Sequence, residues 1–575
     1  MNNIPTFHNR YKSGKYKKSL VIFLFLSAAV SALGQNIDKS YMHHEVPDDP
    51  YKPRLEQDIE TSPAYRYRGS NYFTVQVNVN DDGENILWDA ANEPSISVDL
   101  NNPDRMVIGW RQFDDVTSNF RQAGYGFSTD AGLTWTFPEP IDPGVFRSDP
   151  VLDIDSDGNF YYNSLTKNAN NDYWCDVFKT TDENFEWDEG TFAQGGDKQW
   201  MYIDNTGGMG NGNIYAFWNS SFSICYPGSY TRSTDEGASY EDCDGVMGNP
   251  IWGTLTVGPD GELYTVGSAS NTGVVVTKST TATNPASQTS WDFANYVDLD
   301  GSLNGWTDIN PGGLLGQAYI DADRSHGPGR GNVYVLASVD RDTGDPGDVM
   351  FARSTDGGQT WENPMRINDD PYNNKWQWFG TLSVAPNGRI DAVWLDTRNA
   401  PVNNEYMSEL YYSFSTDEGI TWTENERLSE SFHPHHGWPN QNKMGDYFDM
   451  VSDDNGVHLA WANTINGEQD VYYTYITPWI VGVDNEFTKN NRSFINYPNP
   501  VISKTTLRYE LRESSHVVIT VFDILGNNVE IVVDELQEFG THNIVFDASK
   551  LGRGIYFCRL TAGTQSETIK LTVID

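Results

Sequence analysis

The sequence predicts an all-β chain: a seven-bladed β-propeller, with six blades as the alternative, followed by a small C-terminal β-sandwich. Three observations carry this. An octapeptide with the letters of a tight turn recurs as STDAGLTW (128–135), STDGGQTW (354–361) and STDEGITW (415–422), with weaker copies TTDENFEW (180–187) and STDEGASY (233–240). A second series, a polar turn leading into a strand of β-branched and aromatic residues, runs in phase with it. From residue 494 onward the repeats stop and a separate set of alternating strands begins.

Near its N-terminus the chain carries Arg10, Lys12, Lys15, Lys17 and Lys18, then an apolar run, LVIFLFLSAAV (20–30), then small residues at Ala32 and Gly34. This is the order of a secretory signal peptide over 1–34. The run is short for a bilayer span, and no later segment is long enough. No Cys lies near the cleavage point, which argues against a lipid anchor. Residues 35–70 read as an irregular N-terminal segment.

The repeat region extends over 71–482. The Asp positions of the octapeptide, 130, 182, 235, 356 and 417, are spaced about one repeat apart except between 235 and 356, where the gap is about two. STTATNPASQTSW (279–291) is the decayed copy expected there. The in-phase hairpins, among them DIDSDGNFYYNS (153–164), APNGRIDAVW (385–394) and DDNGVHLAW (453–461), number seven. Each repeat supplies two strands around its hairpin and two around its octapeptide, a four-stranded sheet, and radial repetition of such sheets makes a propeller. The seventh repeat stops after VYYTYI (471–476), so NYFTVQVNV (71–79) is expected to supply its missing strand and remove the bare edge.

The octapeptide's letters have local causes. Asp130 accepts backbone N–H groups within the turn, Gly132 takes a positive φ at no steric cost, and Trp135 packs between adjacent sheets. The motif resembles the Asp box of sialidase-like propellers. That resemblance implies a structural fastener between the third and fourth strands, on the face opposite the active site. After a polar linker (483–493), the tail (494–575) carries INYPNPV (495–501), DILG (523–526) and GIY (554–556). These resemble the C-terminal sorting domain of the type IX secretion system, which implies export to the cell surface or medium with the tail usually removed.

The chain has 38 Lys+Arg against 80 Asp+Glu, a net charge of −42. No basic footprint for nucleic acid exists, and anionic membranes are repelled. Of the four Cys, Cys225 and Cys243 are placed to bridge in an oxidising compartment, while Cys175 and Cys558 have no evident partner. A monomer is expected.

If octapeptides mark one face, first strands begin and second strands end at the other. That face would collect Asp396, Asp446, Tyr447, His436 and Asp149 as catalytic candidates. Arg111, Arg147, Arg398, Trp376, Trp378 and Lys443 are the substrate-binding candidates, with Asp197 and Lys198 nearby. Paired carboxylates, or Tyr with a carboxylate, suit glycoside cleavage, Arg forks suit acidic sugars, and Trp faces stack on sugar rings. Each also has an ordinary structural use as an ion pair, turn cap or core residue. The region before the first octapeptide reads EPSISVDL and lacks the Arg-Ile-Pro of sialidases, so the expectation is the wider class. It comprises a secreted glycoside hydrolase acting on an acidic extracellular glycan, a uronate-eliminating polysaccharide lyase or dehydratase with Tyr447 or His436 as base, or a non-catalytic glycan-binding or adhesion propeller. The partners are that polysaccharide or oligosaccharide and the secretion machinery. No cofactor is required; DIDSDG (153–158) offers Asp153, Asp155 and Asp157 to calcium, but its twelfth position is Ser164, not the Glu of a calcium loop.

Overall fold

In the computed structural model, which describes residues 48–54, 59–180, 185–269, 273–478, 494–497, 501, 503–511, 514–523, 528–537, 540–562 and 565–573, regular structure is almost wholly antiparallel β. The predicted leader, the linker 483–493 and the octapeptide copy at Asp182 lie outside the described residues. Among the described residues, no helix is long and apolar enough to cross a membrane.

Seven sheets of three to five strands follow one another between Arg66 and Ile476. Their first strands are Ala90–Val98, Ser148–Ile154, Trp200–Ile203, Leu255–Val257, Tyr319–Ala322, Gln377–Val384 and Asp449–Ser452. Each first strand packs on the next, and the seventh returns to the first, so the contacts form a closed cycle. The seventh sheet is completed by the N-terminal segment: Tyr72–Gln76 pairs antiparallel with Asp470–Ile476.

First strands of neighbouring sheets do not form a common ladder, so their free N–H groups need side-chain acceptors. This explains the Ser, Thr and Asp residues placed where an apolar strand would be expected. Leu152 N donates to Ser95 Oγ at 2.9 Å, Ile203 N to Asp153 Oδ2 at 2.6 Å and Ile320 N to Thr254 Oγ1 at 3.0 Å. Val384 N donates to Asp321 Oδ2 at 2.8 Å, Ser452 N to Ser383 Oγ at 3.0 Å and Ile96 N to Asp449 Oδ2 at 3.1 Å. In every case the acceptor belongs to the preceding sheet. The first strands enclose a cavity of about 320 Å³ on the hairpin side, lined in part by Trp200, Tyr319, Asp449 and Arg324.

The octapeptides repeat one geometry. Thr134 N and Oγ1 donate to the Asp130 carboxylate at 2.9 and 2.8 Å, and Gly132 N donates to Ser128 Oγ at 2.9 Å. The same bonds recur around Asp235, Asp356 and Asp417. Each turn packs on the preceding sheet. Trp135 lies 5.4 Å from Tyr473, Trp422 lies 5.1 Å from Phe351, and Trp291 of the decayed copy lies 5.3 Å from Tyr230. Gly419, at φ +79°, is backed by the Phe351 ring, which a Cβ would approach to 2.6 Å. Cys225 and Cys243 form a disulfide, and Cys175 and Cys558 are buried free thiols.

In the tail, a three-stranded sheet (Phe494–Tyr497, Lys504–Leu511, Gly540–Asp547) and a four-stranded sheet centred on Ser515–Phe522 and Gly554–Ala562 share one core. Phe494, Leu507 and Tyr509 from one sheet meet Val517, Ile519, Val521 and Leu560 from the other.

Candidate functional site

The entry to each first strand is marked by one residue in a positive-φ conformation: Glu93 (φ 50°), Asp149 (47°), Lys198 (55°), Trp252 (59°), Gly316 (152°), Phe379 (55°) and Gly445 (102°). Ladder registers shift there in the first, second and sixth sheets. A bulge of this kind re-aims a side chain, and left-handed backbone on residues other than Gly is costly enough to attract a functional reading. Gly445 has its reason in space, since a Cβ there would lie 2.6 Å from Glu93 Cγ.

Three entry residues, Glu93, Asp149 and Lys198, are ionisable, and they meet. Lys198 Nζ lies 2.6 Å from Asp446 Oδ2 and 3.6 Å from Asp149 Oδ2. Lys443 Nζ lies 2.9 Å from Asp446 Oδ2 and 3.3 Å from Glu93 Oε1, which is also 3.2 Å from Arg111 Nη2. Six side chains from the first, second, third and seventh sheets thus form one network, and none is more than 8 % exposed. The hairpin Gly305–Leu314 adds to its cover: Leu314 N donates to Asp446 Oδ1 at 2.8 Å, and Asn310 Nδ2 to Gly445 O at 2.9 Å.

Burial dominates the Glu93 carboxyl and pushes it up to about 8 despite Arg111 and Lys443. Burial also opposes ionisation of Asp149, but Lys198 and Arg111 outweigh it and hold that group at about 2. Asp446 is held well below the usual carboxylate range, burial being outweighed by Lys198 and Lys443, with a hydrogen bond from Glu93 helping. At neutral pH the network therefore holds one protonated carboxyl beside two carboxylates, the separation that assigns acid and base roles where a substrate can reach them.

Of the residues singled out from the sequence, Arg111, Asp149, Lys443 and Asp446 come together here, with Lys198. Glu93 was not foreseen. Tyr447 adjoins the group, fully buried, its hydroxyl donating to Pro150 O at 2.8 Å and its ring 5.3 Å from Trp200. The others make separate contacts. Arg147 pairs with Asp142 and Asp176, each at 2.7 Å. Asp396 accepts from Arg398, Trp394 and Gln377, while Arg398 also reaches Asp369 at 2.6 Å and covers the Tyr411 ring. Trp378 is buried and Trp376 half-buried within the sixth and seventh sheets' core. His436 is exposed and stacks on His433 at 4.6 Å, in an aromatic group with His435, Trp438 and Tyr406.

The calcium candidates point to other tasks. Asp153 receives Ile203 N and Ile154 N, and Asp155 receives Asp157 N, Asn159 and Tyr161 Oη. Among the described residues, no three His, Cys, Asp or Glu side chains group as a metal ion requires.

Residues 496–574 match the secretion system C-terminal sorting domain. The tail is a type IX sorting domain. It directs the chain to secretion or the cell surface. The chain matches no curated protein. Among solved structures it is similar to a protein of unknown function from Dyadobacter fermentans, at 15 % identity over 72 % of this chain and 99 % of that one, TM-score 0.39. It is similar to a PL25 ulvan lyase at 11 % identity over 70 % and 96 %, TM-score 0.36. A Trypanosoma rangeli sialidase matches at 9 % identity over 89 % of each chain, TM-score 0.36. At these values the likeness assigns no activity.

Proposed function

We propose that the protein is an exported, carbohydrate-active propeller whose seven sheets are its blades and whose strand-entry face holds an extracellular glycan. The observation that carries this is the division of labour between the faces. The octapeptides, with their carboxylates committed to their own turns, fasten one face. The other displays the rings of Tyr406, His433, His435, His436 and Trp438 on one loop system, within reach of solvent. Flat rings with polar edges suit sugar faces and hydroxyls.

A hydrolytic reading is favoured by one further feature, the protonation split between Glu93 and the carboxylates Asp149 and Asp446. In that reading Glu93 donates the proton to the leaving oxygen, and the hairpin Gly305–Leu314 must move aside to admit the substrate. In the eliminating alternative, exposed His436 serves as base, Tyr447 being enclosed with its hydroxyl spent on Pro150.

The test is incubation of the full chain with acidic and neutral polysaccharides, following reducing ends and absorbance near 235 nm, together with retention in affinity gels. New reducing ends without absorbance support hydrolysis, and absorbance supports elimination. Retention without turnover leaves glycan binding. Neither retention nor turnover on any substrate overturns the proposal.

A further inference from the structure

Two exposed aromatic residues, Trp306 and Trp88, have left-handed backbone, and Trp88 is the more exposed. It is 58 % exposed, yet its backbone is left-handed at φ 69°. A β-carbon-bearing aromatic residue adopts that conformation at a cost, and an exposed indole returns little burial for it. Three bonds nevertheless fix it. Its N–H donates to Glu468 Oε1 at 2.9 Å, its carbonyl accepts from Val116 N at 3.0 Å, and its indole Nε1 donates to Glu60 Oε2 at 3.3 Å. The backbone is held at both of its polar groups and the indole edge is tied to Glu60, with the ring surface facing water, which lowers the ordering cost a loose platform would carry.

Trp88 borders a cavity of about 380 Å³ whose other walls include Tyr51, Asp49, Asp114 and Asp115. That volume lies within the range of small-ligand sites. Tyr51 packs on Phe120 at 5.3 Å and supplies a second aromatic wall. Three carboxylates line the cavity against two cations, Lys52 and Arg54, and Arg54 is committed to the carbonyls of Asp114 and Leu87. Carboxylates accept hydrogen bonds from hydroxyls and repel anions. The cavity adjoins the histidine loop, since Asn440 N donates to Ser118 O at 3.2 Å and a Cβ on Gly437 would meet Glu468 Cα at 2.5 Å.

We infer that this cavity is a subsite for an uncharged sugar ring, stacked on Trp88 with its hydroxyls donating to Asp114 and Asp115. The inference rests on the reading of the entry face as glycan-binding, and it names the sugar class and the residues. It concerns binding alone and involves no bond change.

Native affinity gels of the full chain, cast with laminarin, a neutral galactomannan or alginate, test it. The expected result is retardation by at least one neutral polymer, weakened about tenfold in Trp88→Ala and partly retained in Trp88→Phe. Retardation by a neutral polymer that is unchanged in Trp88→Ala overturns the subsite. Retardation by alginate alone overturns it too, and both results leave the wider glycan reading standing. Retardation by none of the polymers overturns the subsite, and the wider glycan reading falls with it only if turnover of acidic and neutral polysaccharides is absent as well.

Discussion

Lys198 Nζ sits 2.6 Å from Asp446 Oδ2, joining the third sheet to the seventh across the mouth of the ring. Both groups are buried, and Lys198 also faces Asp149. The lysine is pushed well above its ordinary range: burial alone would lower it, but Asp149 and Asp446 outweigh burial. Such a pair is weak evidence of net stabilisation, whereas removing one partner strands the others. Lys198→Met is therefore expected to cost about 3–5 kcal/mol in urea unfolding. A loss below about 1 kcal/mol would mean that water reaches these carboxylates.

The octapeptides give a second expectation. Asp356→Ala removes acceptors for Thr360 N, Thr360 Oγ1 and Ser354 Oγ. The site is exposed and water replaces the bonds in part, so about 1 kcal/mol is expected. Gly419→Ala should cost more, about 1–3 kcal/mol, because the new Cβ meets Phe351 in a left-handed backbone. Thermal unfolding of both variants checks the order; the reverse order would remove sheet-to-sheet packing as the reason for the glycine. Polysaccharide retention should be unchanged in Asp356→Ala.

These turns were legible in the sequence because each is a local object whose letters answer to local needs. The closing strand was legible too, since 71–79 alternates and the seventh repeat lacks a partner. The site was legible only in part. Arg111, Asp149, Lys443 and Asp446 stood out as charged residues at strand ends. Glu93 did not, because the entry position recurs as a backbone conformation and not as a letter: Glu, Asp, Lys, Trp, Gly, Phe and Gly fill it in turn. Distances between sheets, which make the network, leave no trace in any single repeat. The groove at Trp88 was missed for a similar reason, as its walls are brought together from 49–54, 88 and 114–120.

Stability should fall as pH rises through the mildly acidic range. Burial pushes Asp153, Asp449 and Asp470 up to about 7 and Glu93 to about 8. Between about pH 4 and 7 the folded chain keeps protons that the unfolded chain has released, so the unfolded state binds fewer and the slope is negative. Asp149, held at about 2, acts oppositely: its contribution is present above about pH 4 and is lost as pH falls through its folded value. Asp449→Asn should flatten the decline between pH 5 and 8 in urea titrations. A variant with the parent's slope would contradict a protonated Asp449.

The thiols should be silent in the native protein. Burial raises Cys175 well above its ordinary range and Cys558 to about 12, and Cys225 and Cys243 are bonded to each other. A thiol-reactive chromophore should label none of the four in the native state, two after denaturation and four after denaturation with reductant. Native labelling of Cys175 would place solvent where the second sheet's core lies.

The most direct test of the account is hydrogen–deuterium exchange on the full chain with and without a retained oligosaccharide. Protection is expected in peptides covering 433–446, 85–93 and 114–122, on the strand-entry face, with 354–361 and 415–422 unchanged. Protection confined to those octapeptides, with the entry face unaffected, would contradict the account by placing the ligand on the face assigned to fastening.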